Sequence, residues 1–159
     1  MKIKDYVIIA SLLVIFGIAL IIVNLQHGEP GSIGKVFRGS ELLIEVDFNK
    51  NEVKVYPQSG FPGYPKVTDP IENEGGDLAY IIMGAYEDEN GPTEVWIEID
   101  FDTKSLRIAH DSTPKQIGVN RNWYNGTGLP VISLPNKVYI RFENVSDDMD
   151  GYVWQMLKL

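Results

Sequence analysis

Four groups of residues carry types and spacings that could do chemistry. His110, Asp111 and Ser112 supply the three residue types of a hydrolase triad in consecutive positions. Neighbours in an extended strand point to opposite faces, so these three cannot converge on one proton path; the expected outcome is a strand-end histidine on the same side as Leu106 and Ile108. Asp147, Asp148 and Asp150, followed by Gly151, form the densest acidic loop, and hard cations such as calcium bind clustered carboxylates. Ser146, Asp148 and Asp150 at alternate positions imitate the first half of a calcium loop, but Leu157 stands where the closing glutamate belongs, so a solvated turn is the simpler expectation. Asn125-Gly126-Thr127 and Asn144-Val145-Ser146 satisfy the acceptor pattern for N-glycosylation at Asn125 and Asn144. Two aromatic pairs, Phe61 with Tyr64 and Trp123 with Tyr124, are candidates for contact with a partner; the alternative for each is an internal role, folded over a sheet or plugging a loop. His27 and His110 lie too far apart in sequence to form a transition-metal pair, and no phosphate-binding glycine loop or nucleophile elbow occurs. The expectation is a protein without catalytic residues, bound metal or cofactor.

Composition narrows the classes further. The chain has no cysteine, which excludes disulfides, thiolate metal sites and thiol catalysis. Beyond the first 25 residues it carries 12 Lys/Arg against 21 Asp/Glu, a net charge of −9. A surface so acidic repels phosphate backbones, so no nucleic-acid partner is expected.

These groups must be positioned by elements of two kinds. From Tyr6 to Val23 the chain has neither charge nor proline, and with Asn24 and Leu25 the run reaches the length needed to cross a bilayer as a helix. Its exit, Asn24 to Glu29, lacks the small-residue pattern of a signal-peptide cleavage site. Residues 1–25 are therefore expected to be an uncleaved single-pass anchor. Lys2 and Lys4 precede the apolar run, which by the positive-inside bias puts the N-terminus in the cytoplasm and the rest of the chain on the outer side of a cell membrane. Residues 26–34, with three glycines and a proline, read as a flexible linker, and 35–159 as one extracytoplasmic domain.

Within that domain the hydrophobic pattern has a period of two. Val95, Ile97, Ile99 and Phe101 alternate with Glu94, Glu98, Asp100 and Asp102, which predicts a strand with one wet face. Similar stretches at 42–48, 52–56, 78–87, 105–110, 131–134, 137–144 and 152–157 predict further strands, and Asn49-Lys50-Asn51, Glu89-Asn90-Gly91-Pro92 and Asp102-Thr103-Lys104 have hairpin chemistry. The fold class expected is all-β, a small sandwich or barrel preceded by one transmembrane α-helix. Two irregular stretches, 57–76 and 112–130, interrupt the strands.

The second stretch carries a family resemblance. Pro114, Ile117, Val119 and Trp123, then Leu134-Pro135-Asn136-Lys137, stand in the order of a NusG domain II pattern, with 95–142 covering the similar core. The resemblance implies a compact β-fold in a membrane-anchored exported protein. Thr113, Gly118 and Ser133 occupy positions where many members of that family have cysteines, so only the scaffold carries over. In this loop Trp123 is expected to be an apolar plug, with Pro114 and Pro135 fixing entry and exit and Asn136 suited to the turn that follows.

The function expected is non-catalytic: an accessory, assembly or protein-interaction module whose partners are the membrane and another membrane or envelope protein. Two other readings are an archaeal surface-filament or stator component, and an extracytoplasmic sensor or enzyme that binds a small ligand or cation.

Overall fold

The computed structural model describes residues 3–25, 31–72 and 74–143. Helix α1 (Ile3–Leu25) has 23 residues. At about 1.5 Å per residue it spans about 35 Å, and it is long and apolar enough to cross a membrane. Leu13, Phe16 and Leu20 are more than 60% exposed, so the other described residues leave these side chains uncovered.

The body is a sandwich of two antiparallel sheets. Its strands are β1 (Ile33–Arg38), β2 (Glu41–Asp47), β3 (Glu52–Val55), β4 (Lys66–Thr68), β5 (Leu78–Asp88), β6 (Gly91–Asp100), β7 (Ser105–Asp111), β8 (Ile132–Ser133) and β9 (Val138–Glu143). One sheet has the order β3-β2-β1-β9-β8 and the other β4-β5-β6-β7. Alternate side chains point between them: Val36, Ile44, Val46 and Ile140 from the first meet Ile82, Val95, Ile97, Ile99, Leu106 and Ile108 from the second, all buried. Each such side chain contributes about 1.5–3 kcal/mol of burial, so the core needs no cross-link to hold it.

The hairpins fall where turn chemistry predicts them. Asp47 Oδ1 accepts the N–H groups of Asn49 and Lys50 at 3.0 and 3.2 Å, and Asn51 takes the positive φ that closes the β2–β3 turn. Lys104 has the corresponding conformation before β7, and Gly91 after the Glu89-Asn90 turn.

The structure departs from sequence expectation at several places. The body starts before Lys35: Ile33 and Gly34 already pair with both β2 and β9, and Gly31 N donates to the Asn125 carbonyl. Gly31 and Gly34, which read as linker, are packing residues here, since a Cβ on them would lie 2.6 Å from Phe142 Cβ and from Leu106 Cδ1 respectively. Strand β4 lies within a stretch expected to be irregular, and one turn of 3-10 helix (Val119–Arg121) within the other. The face of β6 expected to be wet is covered in part: Glu98 is fully buried and Asp100 nearly so, while Glu94 is half-buried and Asp102 exposed. His110 does not share the side of Ile108, because an irregularity in the β6–β7 register pairs Trp96 with His110 but Ile97 with Ile108. One extra residue reverses the parity, leaving His110 exposed and Asp111 fully buried. Asp147, Asp148, Asp150, Asn144 and the strand expected at 152–157 lie outside the described residues.

Candidate functional site

Asp111, turned inward by the bulge, organises the end of β7. Its Oδ1 accepts Thr113 N at 2.9 Å and the Thr113 hydroxyl, and its Oδ2 accepts Ser133 Oγ at 2.9 Å. Asn136 Nδ2 donates to Ser133 Oγ at 3.2 Å, while Asn136 Oδ1 and its carbonyl accept Tyr86 N and Ala85 N. Asn136 thus fills the irregularity between Met83 and Glu87 in β5, linking the two sheets rather than only shaping a turn as expected. A Cβ on Gly84 would lie 1.8 Å from Asn136 Oδ1, so only glycine leaves room for the amide. Each polar group in this chain of contacts is partnered, as burial at 0–4% exposure demands.

A second polar cluster lies on the outer face of the β5–β6–β7 sheet. Arg107 Nε and Nη2 donate to Glu98 Oε2 at 2.8 and 2.6 Å, and Nη1 pairs with Glu74. Glu98 Oε1 accepts Ile71 N at 2.7 Å, pinning the 57–76 segment over the face that sequence alternation left open to water. At the start of that segment the Gln58 side chain pairs with the Met83 backbone as another strand would, donating to O at 2.7 Å and accepting from N at 2.9 Å.

The aromatic candidates divide. Phe61 lies beneath the Arg38 guanidinium, 5.3 Å from ring centroid to Cζ, and Tyr64 donates its hydroxyl to Glu94 Oε1 at 2.6 Å while accepting Lys66 Nζ. Both are half-buried and engaged within the molecule. Trp123 is also half-buried: its ring lies 4.8 Å from Arg107 Cζ and caps the Glu98 pair, outside the core cluster. The residue that plugs the loop is its neighbour. Tyr124 forms an antiparallel bridge with Leu106, packs edge-on against Phe142 at 5.4 Å and borders the core, where burial pushes its phenol pKa up. Asn125 Oδ1 accepts the Thr127 N–H and hydroxyl at 3.2 and 2.6 Å within the first glycosylation motif.

His110, Asp111 and Ser112 do not converge. His110 packs edge-on against Trp96, ring centroids 6.1 Å apart, at an open cleft of about 560 Å³ bounded also by Asp88, Asn90, Glu94 and Ile71. Among the described residues no group of three His, Asp or Glu side chains is placed to hold a metal ion.

A second depression, of about 540 Å³, runs along the edge where β7 and β8 lie. Pro114, Ile117, Leu129, Ile132 and Leu134 line it, and Lys115 and Arg121 flank it. Ile117, Leu129 and Leu134 are 53, 67 and 76% exposed. Trp96, Glu98, Arg107 and this apolar edge were not singled out from sequence. The hairpin register, which sets Glu98 opposite Arg107, was the available signal for the ion pair.

No family model matches the chain, and no curated protein matches it. Two solved structures are similar in fold. The Lin0431 protein of Listeria innocua is 15% identical, with 71% of this chain and 95% of that one covered and a TM-score of 0.41. A DUF1312 family protein, EF3258 of Enterococcus faecalis V583, is 16% identical, with 71% and 97% covered and a TM-score of 0.40. Nothing about function follows from likenesses at this level.

Proposed function

We propose that this chain is a non-catalytic interaction module: a β-sandwich anchored by α1 on the outer side of a cell membrane, contacting another membrane or envelope protein. The observation that carries the reading is the open cleft at Trp96 and His110. A half-buried tryptophan in a shallow, acid-bounded depression has the character of an interface anchor, and Asp88 and Glu94 favour a basic segment of the partner. The apolar length of α1 supports the anchor, and Lys2 and Lys4 support the orientation.

The resemblance to NusG domain II belongs to the same reading. In its support, the three positions where many members have cysteines come together: Thr113 and Ser133 share the Asp111 carboxylate, and a Cβ on Gly118 would stand 3.3 Å from that of Ser133. That separation is close to what a disulfide requires. In this chain hydrogen bonds to a carboxylate do the fastening instead.

Affinity copurification from detergent, with the wild-type chain and Trp96→Ala side by side, tests the function. A defined partner retained by wild type and lost by the variant is expected. A chain that always emerges alone, or a partner held equally by both, sinks the reading.

A further inference from the structure

The charge of the molecule is unevenly distributed along its sequence. From 112 to 142 there are four basic residues, Lys115, Arg121, Lys137 and Arg141, and no acid; the other ten basic residues share the rest of the chain with all 22 acids. Arg141 is paired with Glu143. Lys115, Arg121 and Lys137 are exposed and have no ion pair with an acid among the described residues.

These three cations accompany the exposed Ile117, Leu129 and Leu134. Lys115 and Arg121 flank the groove, and Lys137 N donates to Leu134 O at 3.0 Å in the turn beside it. Large aliphatic side chains ringed by cations, in an otherwise acidic body, form an amphipathic surface complementary to anionic headgroups above acyl chains.

Connectivity places the body near a bilayer. Residues 26–30 separate α1 from Gly31, so the body begins within about 20 Å of the helix end even if they are fully extended. Gly31 is hydrogen-bonded to Asn125, in the same loop that carries Lys115, Ile117, Arg121 and Leu129. The chain enters at the start of β1, and the patch runs from the far end of that strand, where Gly39 N donates to the Lys137 carbonyl, along the β7–β8 edge.

We infer that the β7–β8 edge docks on the anionic lipid surface, with Ile117, Leu129 and Leu134 at headgroup depth and Lys115, Arg121 and Lys137 against lipid phosphates. The body then lies on its side, which leaves the opposite β3–β4 edge turned away from the membrane. The inference rests on the membrane anchor proposed above, and it extends that proposal by fixing how the body is presented.

The absence of cysteine makes the test direct, because a single introduced thiol can be labelled alone. Full-length chains carrying Leu134→Cys, or Glu52→Cys on exposed β3, are labelled with a polarity-sensitive fluorophore. They are reconstituted into vesicles of phosphatidylcholine, with or without phosphatidylglycerol, that contain a lipid-borne quencher. Flotation with the vesicles reads the anchor, and quenching reads the docking. The expected result is quenching at position 134 and not at 52, in the anionic vesicles, weakened by salt. Lys115→Gln, Arg121→Gln and Lys137→Gln together should lower the docked-to-undocked ratio about a hundredfold, about fivefold for each cation. A chain that floats while its position-134 fluorophore behaves like that at 52 overturns the docking and leaves the anchor standing. Shielding that is equal in neutral vesicles, or that grows with protein density in the bilayer, assigns the groove to an apolar ligand or a second copy and also overturns it. A chain that does not float removes the anchor, and the docking falls with it.

Discussion

The segment that joins β3 to β5 and the one that joins β7 to β8 are similar in length, and both were read from sequence as irregular, yet they end in different chemical states. The first is fastened at many points: Gln58 to Met83, Ser59 N to Glu41, Tyr64 to Glu94 and Ile71 to Glu98. Its aromatics are consumed by these contacts, and it covers the Glu98–Arg107 part of one face of the sandwich. The second is fastened at its ends and its centre, by Asp111 and Tyr124, and leaves Ile117 and Leu129 in solvent, with Leu134 just beyond it. An irregular segment bonded along its length acts as part of the body, whereas one held at a few points can offer apolar surface to something else.

The sharpest way to break this contrast is to release the sealed segment. Glu98→Ala removes the acceptor for Ile71 and strips the nearly buried Arg107 of its fully buried partner, which should cost about 3–5 kcal/mol. A urea titration of the chain in detergent should show a much lower midpoint; an unchanged midpoint would mean that the segment is not sealed by this pair.

The centre of the exposed loop gives the next effect. Tyr124→Ala removes an aromatic that borders the core and should cost about 2–3 kcal/mol, while Trp123→Ala loses mainly its contact with Arg107 and should cost about 1 kcal/mol. The same titration ranks them, and the reverse order would restore tryptophan as the plug. Smaller still, Ile117→Ser and Leu134→Ser should move stability by no more than about 0.5 kcal/mol, because both side chains already stand in water. A larger loss would mean that something in the folded chain covers them.

The smallest effect is pH-dependent and confined to the sealed segment. The hydrogen bond from Ser59 N holds the Glu41 carboxyl below its ordinary value of 4.5. A folded-state pKa below the unfolded one means that this stabilisation is fully present above about 4.5 and fades as the pH falls through the lowered folded value. Stability measured against pH should therefore decline less steeply on the acid side in Glu41→Gln than in wild type, and parallel curves would show that Ser59 is not held by the charge.

Much of the architecture is readable from local pattern. The alternation of Val95, Ile97 and Ile99 marks a core-facing strand, because side chains on a pleated backbone alternate whatever lies opposite. The turn at Asn49-Lys50-Asn51 is set by a nearby aspartate and a residue that tolerates positive φ, and the apolar run to Leu25 sets the length and character of α1. The lack of cysteine and the acidity of the body are likewise properties of the sequence alone.

What only the tertiary structure decided is which polar residues lie inside and which apolar ones remain outside. Glu98 falls on a face that alternation marks as wet, and it is buried because a segment more than twenty residues earlier in sequence folds over it. His110 and Asp111 exchange sides through one bulged residue, an irregularity of pairing that depends on the partner strand. Asn136 is fixed by a gap in β5 about fifty residues away, and Gly34 by the approach of Leu106. Ile117, Leu129 and Leu134 have the composition of core residues but lie at the β7–β8 edge, where no other described residue covers them. Periodicity records the direction of a side chain from its own backbone; burial depends on what distant chain arrives on that side, and that is settled only when the sheets have packed.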